Sequence, residues 1–536
     1  MSAKEKITRR QFLKNTAVVA GSGVAAAGAV GAFNPPSAKA AVVPEKWDME
    51  AEVIVVGSGP TGIPAAIAAV EKGSSVTVIE QSKEVGGCGV INMGLLHIGG
   101  GTRVQKQNKM EDSPDLMFKR FSNYKDHYQK RNDPAILRVF CDYNPGTFNW
   151  LEERGVRFID TLQGGFDALH QRHPYHPIKW EKEGPGRLFP YMDAATSGAG
   201  LIKPLEAYAR NKGVKILLEH KMMKIIRQGG TTGRALGVEI QAGEKKLFFK
   251  AKKGVILGTG GWKGNKFLRN LFDSRITEDI VATGEPFVNP DGSGIVAGLE
   301  AGAILISDRA NDTALYRRMF ATKHYQFPLN SPYGAPGLNI VGPRWGDVIF
   351  VNKAGQRFVR EEDVASLGTY SFFDAALAQQ DHILWTIFDD AAAKKYKWDV
   401  RPPVTEKDCA FSAPTVAELA KLIKVPENAL SETVQKYNTF VEAGKDGDFE
   451  KPKNLLKSKI ENRPFHAVWV QLLVHDTCGG LAVNARSQVL DIYGKVIPGL
   501  YAGGETVGGM EFVGMNRGII LGRIAGENAA AETPAL

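Results

Sequence analysis

Apolar residues in the first part of the chain follow a strand–turn–helix–strand pattern. Residues 53–56 are a β-branched apolar run, a glycine-rich stretch follows, and an Ala-rich segment then leads to a second β-branched run that ends before Glu80. Short β-branched runs predict strands buried on both faces, whereas the Ala-rich segment has the composition of a helix. Residues 52–80 are therefore predicted to form two strands joined by a helix.

The glycine-rich turn before this helix predicts a dinucleotide-binding site. Gly57, Gly59 and Gly62 have the G-x-G-x-x-G spacing. In this motif the first glycine allows a tight turn, the second lets the backbone approach a pyrophosphate, and the third lets helix and strand pack closely. The helix N-terminus adds free N–H groups and a positive dipole end. Glu80 follows Gly62 by 18 residues, where an acceptor for ribose hydroxyls is expected.

Two later segments repeat the pattern of a buried strand that runs into a glycine turn. One is residues 255–261, which include Gly260, and the other is residues 500–506 near the C-terminus. Segments this far apart in sequence must meet if one ligand spans both. We therefore expect an α/β fold with a Rossmann-like dinucleotide-binding domain, built from both ends of the chain and interrupted by an insertion.

The insertion has fewer glycine turns and more aromatic residues than the rest of the chain. Amphipathic helices are predicted near residues 414–424 and 430–443, with Ser431 and Asp446-Gly447 as punctuation of the second helix. The expected division of the chain is a leader at 1–40, the first part of the dinucleotide-binding domain at 48–310, an inserted domain at 311–465, and the second part of the dinucleotide-binding domain at 466–533.

The first 40 residues have the pattern of an export leader. Arg9 and Arg10 precede a weakly apolar stretch at 17–33, and residues 38–40 offer an A-x-A cleavage site. More than half of the formal net charge of +9 lies in this leader, so the charge does not indicate binding to nucleic acid. We expect export by the twin-arginine machinery to the periplasm or another extracytoplasmic part of the cell envelope.

The cysteines argue against a second redox centre in this chain. Cys88, Cys141, Cys409 and Cys478 are scattered, without the spacing of covalent haem, an iron–sulfur cluster or another metal site. Four isolated cysteines do not indicate a disulfide framework either. Any redox centre other than the dinucleotide is therefore expected on a separate protein.

Motifs along residues 50–533 resemble those of the fumarate reductase/succinate dehydrogenase flavoprotein superfamily. The similarity is closer to its soluble branch, which contains flavocytochrome-type fumarate reductases, urocanate reductases and 3-ketosteroid dehydrogenases. Besides the first glycine turn, the motifs are Thr259-Gly260-Gly261, Pro290-Asp291-Gly292, Asn352-x-x-Gly355-x-Arg357-Phe358-x-x-Glu361, Thr433-Val434-x-x-Tyr437-Asn438, Cys478-Gly479-Gly480-Leu481 and Ile497-Pro498-Gly499-Leu500-Tyr501-Ala502-Gly503-Gly504-Glu505.

This resemblance implies FAD, bound non-covalently and extended across the large domain, with a capping domain that closes over the flavin. It implies that Glu80 binds the adenosine ribose and that Met222 meets the adenine through its backbone. The other implied FAD contacts are the turn residues Gly57, Gly59 and Gly62, the residues along the pyrophosphate and ribityl path Cys88, Gly89, Met93 and Gly94, and Gly260, Asp291, Asp476 and Glu505.

The last helix, predicted to start near Arg517, carries two implied roles. The N–H groups of Gly518, Ile519 and Ile520 would face the flavin N1/O2 edge and stabilise the anionic reduced flavin. Arg517 and His475 would hold one carboxylate of the substrate, for which the planar guanidinium is suited. The alternatives are a structural ion pair for Arg517 and a core histidine bonded to backbone for His475.

The implied chemistry is hydride transfer between flavin N5 and an activated alkene, with an acid that protonates the other carbon. Arg344 matches a capping-domain arginine that feeds protons to the active site; the alternative is a surface salt bridge. Relatives keep Arg or Tyr four residues after the Glu of R-F-x-x-E, but this chain has Ala365. Tyr370 is the first choice for the acid. The nearest alternatives are Arg360, Glu362 and Asp363.

This departure argues against fumarate as the substrate. Aromatic residues crowd the same segment; half of them are expected in the core, and the others predict an apolar pocket for a flat or bulky substrate. These residues are Phe320, Tyr325, Phe327, Tyr333, Trp345, Tyr370, Phe372 and Phe373.

Three functions fit the sequence. The leading hypothesis is an exported FAD-dependent reductase that acts on the C=C bond of an unsaturated carboxylate or enone as a terminal electron acceptor. A separate cytochrome or quinol-linked protein would supply its electrons. The second is a dehydrogenase of the 3-ketosteroid desaturase type, against which His475 and Arg517 argue because a ketosteroid needs no carboxylate clamp. The third is a non-catalytic electron-transfer flavoprotein.

Overall fold

The computed structural model describes most of the chain after residue 42. The described residues are 43–92, 94–122, 132–162, 176–179, 198–278, 280–282, 290–306, 314–315, 342–361, 372–401, 408–470, 472–510 and 514–534. The strands are β1 (Met49–Val56), β2 (Val76–Ile79), β3 (Leu95–Leu96), β4 (His176–Pro177), β5 (Lys215–Leu217), β6 (Lys221–Arg227), β7 (Ala235–Ala242), β8 (Lys245–Leu257), β9 (Val281–Ala282), β10 (Leu305–Ile306), β11 (Ala314–Leu315), β12 (Ile349–Asn352), β13 (Leu384–Asp389), β14 (Ala410–Ala413), β15 (Phe465–Val470), β16 (Leu473–Asp476), β17 (Gly480–Leu481), β18 (Gln488–Leu490) and β19 (Val496–Ala502).

The helices occur before, between and after these strands. They are α1 (Gly62–Glu71), α2 (Arg103–Gln107), α3 (Pro114–Ser122), α4 (Pro134–Glu153), α5 (Ala199–Asn211), α6 (Lys266–Phe272), α7 (Ser293–Glu300), α8 (Phe372–Leu377), α9 (Asp390–Tyr396), α10 (Val416–Ile423), α11 (Glu427–Ala443) and α12 (Met515–Ala530). Short 3₁₀ turns cover Gly87–Gly89, Gly342–Asp347, Gln380–His382 and Gly504–Thr506.

Three parallel strands that end side by side form the centre of the main sheet. β1 pairs with β8, and β8 pairs with β19. Val56 lies beside Leu257, and Leu257 lies beside Ala502. The carboxyl ends of the three strands therefore meet at one edge, which confirms that the strand–turn segments near residues 56, 257 and 502 converge.

The main sheet is buried on both faces. Its order is β18-β19-β8-β1-β2-β5, and β7 pairs with β8 and with β6. Along β1, Val53 and Val55 pack into one hydrophobic core, whereas Ile54 and Val56 pack into another. Covered parallel strands read as continuous apolar runs, which is the pattern predicted from the sequence. The α/β fold class is thus confirmed.

Helices α1 and α12 pack against each other through glycines. A Cβ on Gly522 would lie 2.3 Å from the carbonyl oxygen of Thr61, and one on Gly526 would lie 2.2 Å from that of Ala65. Only glycine permits this approach. Because α1 follows β1 and α12 follows β19, this contact packs the N-terminal half of α1 against the middle of a helix that comes from the other end of the fold.

A second, antiparallel sheet contains three strands of the predicted insertion and a fourth, β15, that starts at its end. Its order is β12-β13-β15-β14, and α10 packs on β14 and β15. Alternate residues of β12 enter two separate cores, with Phe350 in one and Ile349 and Val351 in the other. The division into domains stays a prediction, although β15 runs past the boundary expected at residue 465 and pairs with β13 to Val470.

The two amphipathic helices predicted in the insertion are confirmed as α10 and α11, with different ends for the second. Pro426 is the N-cap of α11, so Ser431 lies inside the helix. Gly444, in a left-handed conformation, ends α11 before Asp446-Gly447. Within the described part of the chain, no helix combines the length and apolar character needed to cross a membrane.

Candidate functional site

The first glycine turn has two glycines that the fold itself requires and one that leaves space. Gly57 has a φ of +95°, and a Cβ there would lie 2.4 Å from the carbonyl oxygen of Gly258. A Cβ on Gly62 would lie 1.8 Å from the carbonyl oxygen of Gly57. At Gly59 the nearest atom to a Cβ is the Gly86 carbonyl oxygen, 3.7 Å away. Gly59 therefore faces room in which a pyrophosphate could approach the backbone.

Two helix N-termini meet beside this turn without acidic or capping side chains. In α1, Thr61 makes no side-chain cap bond and the first turn holds no acid. Gly514 likewise caps α12 without a side chain. The Thr61 hydroxyl would lie 2.8 Å from a Cβ on Gly518, so the two ends are neighbours. Both ends offer positive dipole charge to an anionic group.

Glu80 is buried next to the glycine turn, where the ribose acceptor is expected. Its Oε2 accepts the backbone N–H of Ser58 at 2.9 Å and the Ser58 hydroxyl at 2.7 Å. Its Oε1 accepts the N–H of Ser82 at 2.9 Å. The Ser58 hydroxyl also accepts the N–H of Gly86. The carboxylate therefore fixes the turn against the 82–86 segment.

Residues 86–94 form a second glycine turn opposite the first. A Cβ on Gly89 would lie 2.6 Å from Cγ of Pro60. Cys88, in the 3₁₀ turn Gly87–Gly89, is half-buried. Gly94 has a φ of +71°, and its carbonyl accepts the N–H of Ile178 at 2.7 Å. Met93 lies outside the described residues.

Met222 and Asp291 lie near each other at the edge of the main sheet. Met222 is buried in β6, and the neighbouring Lys221 Nζ is 2.8 Å from Oδ2 of Asp291. Oδ1 of Asp291 accepts the N–H of Ser293 at the start of α7. Burial by itself would raise the pKa of Asp291, but hydrogen bonds from Lys221 and Ser293 outweigh it and lower the pKa. Asp291 is therefore held ionised.

The later glycine turns are joined by a threonine and a glutamate. Thr477 donates its hydroxyl to Oε2 of Glu505 at 3.3 Å. A Cβ on Gly261 would lie 1.7 Å from Oγ1 of Thr477 and 2.8 Å from Oε2 of Glu505. Thr506 donates to the carbonyl of Gly260 at 3.1 Å. The segments around residues 260, 477 and 505 thus form one connected site.

The surroundings of Arg517 differ from those expected of a residue that binds a substrate carboxylate or forms an ion pair. Its side chain is 1% exposed. Its guanidinium donates to backbone carbonyls of Thr477, Gly504, Val507 and Met510. Among the described residues no carboxylate forms an ion pair with it.

Helix α12 begins earlier than expected, which changes which N–H groups are free. It starts at Met515, so the N–H groups without a partner inside the helix belong to residues 514–517. Those of Ile519 and Ile520 lie in the second turn and point along the helix. The predicted direct bonds from Ile519 and Ile520 to the flavin edge do not fit this geometry. Gly518 is the first residue of α12 whose N–H has a possible acceptor inside the helix.

The other predicted catalytic residues are placed only in part. Tyr370, Glu362 and Asp363 lie outside the described residues. Arg344 belongs to the 3₁₀ turn Gly342–Asp347, and His475 and Asp476 belong to β16; the structure describes their backbone only. Arg360 is half-buried and directly precedes buried Glu361. Of the pocket aromatics, Trp345 is a core residue, 5.2 Å from the ring of Phe350.

Sequence reasoning missed a buried charge cluster next to Arg360. Arg357 donates to Glu361 at 2.9 and 2.6 Å and to Asp446 at 3.2 and 2.7 Å. Lys451 donates to the hydroxyl of Tyr437 at 3.0 Å and lies 3.7 Å from Glu361. In the sequence, Arg357 and Glu361 stand out only as motif residues, and Asp446 only as punctuation after a helix. Four balanced charges thus fix the segment that carries Arg360.

The described residues fit a bound FAD. Space at Gly59, two uncapped helix ends and a buried carboxylate at the ribose position occur together at the carboxyl edge of a parallel sheet. This is the edge at which open α/β sheets bind ligands. The family model described as FAD binding domain matches residues 52–519.

Curated relatives and solved structures agree with this assignment. The chain is 29% identical to a fumarate reductase (cytochrome) of Shewanella frigidimarina, over 89% of this chain and 77% of that protein. It is 28% identical to the acrylate reductase flavoprotein subunit of Shewanella woodyi, over 96% and 95%. The fold matches the open conformation of a flavocytochrome c3 fumarate reductase with a TM-score of 0.70 at 23% identity, covering 99% of this chain and 82% of that one. The chain therefore belongs to the family described as FAD binding domain and is an FAD-dependent oxidoreductase.

Proposed function

We propose that this protein reduces the activated C=C bond of an unsaturated carboxylate or enone, with FAD bound non-covalently. The observation that carries the proposal is the meeting of three glycine turns and two helix N-termini at one sheet edge. The names of its relatives support the reaction class, because they include reductases of fumarate and acrylate. The loss of the family acid at Ala365 favours a substrate larger and flatter than fumarate.

Separate residues of this chain bind the cofactor, donate the proton and polarise the substrate. FAD, once reduced by the electron donor, would supply a hydride from N5. Glu80, Gly59 and the N-terminus of α1 hold its ribose and pyrophosphate. Tyr370 donates the proton, and Arg344 and Arg360 supply protons to it; burial of the charge cluster around Arg357 keeps Arg360 in place. His475 polarises the electron-withdrawing group of the substrate.

Electron supply and location belong to the same proposal. No disulfide joins any of the four cysteines, all of which are among the described residues. A separate cytochrome or quinol-linked protein delivers the electrons. The twin-arginine leader directs the folded, FAD-loaded protein to the periplasm or cell envelope. In that setting the alkene serves as a terminal acceptor in anaerobic respiration.

One observation favours a second candidate, a dehydrogenase of the 3-ketosteroid desaturase type. The argument against this candidate was the carboxylate clamp expected from Arg517 and His475. That argument is weakened because Arg517 donates to backbone carbonyls. A neutral enone or ketosteroid would not need those donors.

A substrate screen tests both candidates. FAD-loaded protein is mixed with reduced viologen and fumarate, acrylate, aryl acrylates or neutral enones, and viologen oxidation is followed. We expect turnover with an aryl acrylate or an enone and little with fumarate. Ketosteroid oxidation with a dye acceptor, without alkene reduction, would favour the dehydrogenase. A protein that binds FAD but turns over no substrate in either assay would be an electron-transfer flavoprotein.

A further inference from the structure

All three nitrogens of the Arg517 guanidinium donate hydrogen bonds to backbone carbonyls. Nε donates to Gly504 at 3.2 Å, and Nη1 donates to Met510 at 2.5 Å. Nη2 donates to Gly504 at 2.9 Å, to Val507 at 3.1 Å and to Thr477 at 3.3 Å. An arginine offers paired N–H groups along two edges of its fork, Nε with Nη2 and Nη1 with Nη2. Nη2 shares its two N–H groups among three carbonyls, so each of these edges contains a donor that is already bonded.

We propose that Arg517 is a positioning residue that holds the 504–510 segment and Thr477 against α12, and that it does not grip a substrate carboxylate. This inference rests on the proposed function in placing the flavin at this site. A bidentate carboxylate needs two adjacent N–H groups. To supply them, Arg517 would have to leave buried carbonyls without the donor that they now have, which costs free energy.

The held segment carries the residues that join the cofactor site. Glu505 lies next to Gly504, and its carboxylate accepts the hydroxyl of Thr477. Thr506 then bonds the carbonyl of Gly260. Loss of Arg517 would therefore free both ends of the Thr477–Glu505 contact together and loosen the predicted FAD contacts at Gly260 and Glu505.

The charge of Arg517 adds a second effect. Among the described residues its partners are neutral carbonyls, so a buried positive charge remains unbalanced at the third residue of α12. It reinforces the positive end of that helix. A buried cation favours the anionic form of a neighbouring group. Arg517 is thus expected to raise the reduction potential of a flavin that becomes anionic when reduced.

The test compares Arg517→Ala and Arg517→Lys with a matched control in the same helix, Arg523→Ala. Arg523 is also largely buried, and it donates to the hydroxyl of Thr147 at 2.7 Å, away from the 504–510 segment. For each protein we measure FAD affinity by titration of the apo-protein, the flavin midpoint potential, and kcat and KM for an aryl acrylate and for its neutral amide.

We expect Arg517→Ala to weaken FAD binding by at least about tenfold and to lower the midpoint potential, with equal losses of kcat on both acceptors. Arg517→Lys keeps the charge but cannot bond four carbonyls, so it should retain more of the potential than of the FAD affinity. Arg523→Ala should stay within about threefold of wild type in FAD affinity.

Other outcomes overturn the inference. If Arg517→Ala keeps the FAD affinity and midpoint potential of wild type and raises KM for the acrylate alone, Arg517 is a carboxylate clamp. Equal loss of FAD in Arg523→Ala would mean general destabilisation of α12. If Arg517→Ala does not fold, Arg517→Lys carries the test through the same measurements. If wild type reduces neither acceptor, the proposed function fails while affinity and potential still decide the role of Arg517.

Discussion

Ser58 donates both its backbone N–H and its hydroxyl to a single oxygen of Glu80, at 2.9 and 2.7 Å. The other oxygen accepts the N–H of Ser82. Glu80 therefore has a second task beside the one assigned to it as ribose acceptor. It holds the first glycine turn in the shape that a pyrophosphate requires.

Glu80→Ala should weaken FAD binding and also lower the stability of the apo-protein, because three donors lose their acceptor. A loss of about 1–3 kcal/mol in binding free energy is expected. Titration of the apo-protein with FAD measures it, and thermal unfolding measures the stability. Glu50→Ala is the control, since Glu50 forms an exposed pair with Lys252. Unchanged FAD affinity in Glu80→Ala would remove Glu80 from the site.

Gly59→Ala and Gly62→Ala should fail in different ways. The nearest atom to a Cβ on Gly59 is 3.7 Å away, so this variant should fold but block the pyrophosphate. A Cβ on Gly62 would lie 1.8 Å from the Gly57 carbonyl oxygen, so this variant should not fold stably. Circular dichroism and bound FAD per protein distinguish the two. A yellow, fully loaded Gly59→Ala protein would contradict the predicted path of the cofactor.

Tyr370→Phe should lower turnover by about 10²–10⁴-fold, the usual contribution of a positioned acid. FAD content and the flavin spectrum should stay unchanged, since the substitution removes one hydroxyl. Viologen oxidation with the best substrate of the screen measures the effect. Full activity would move the proton donor to Arg360 or Arg344. Efficient fumarate reduction by wild type would refute the larger pocket.

Lys451 should make stability depend on pH above neutrality. Burial lowers its pKa from 10.5 to about 8, against the opposing effect of Glu361. Between these values the unfolded chain holds a proton that the folded chain has released, so stability rises with pH. The slope is at most about 1.4 kcal/mol per pH unit. Urea unfolding of wild type and Lys451→Met at both ends of this window measures it. Parallel pH dependence in the two proteins would contradict the lowered pKa.

The exported protein should begin at Ala41, after the Ala38-Lys39-Ala40 site. N-terminal sequencing of protein from the cell envelope checks this, and replacement of Arg9 and Arg10 by lysine should hold the FAD-loaded precursor in the cytoplasm. Recovery of an intact leader outside the cytoplasm would refute the processing step.

Local patterns were enough to predict the centre of the fold. The apolar runs ending at Val56, Leu257 and Ala502 each lead into glycines, and the strands do pair. The spacing of Gly57, Gly59 and Gly62 likewise matched the space and contacts observed. Each strand and its glycine turn is a local pattern that the sequence shows directly. The pairing of the distant strands followed from the requirement that one ligand span their turns.

Features set by distant partners could not be predicted in this way. Arg517 bonds carbonyls, and a carbonyl is present at every position, so no residue type signals the contact. The start of α12 was placed near Arg517 because nothing polar caps Met515. Asp446 looked like helix punctuation, since its partner Arg357 lies 89 residues earlier.

The glycine contacts between α1 and α12 also set an order of events during synthesis. The first strand and helix leave the ribosome long before β19 and α12, yet β8 remains without one neighbour until β19 arrives. A nascent chain therefore has half of the dinucleotide cleft and no stable cofactor. Stable binding of FAD therefore requires that α12 has been synthesised, so a chain that holds FAD is one in which translation has passed that helix.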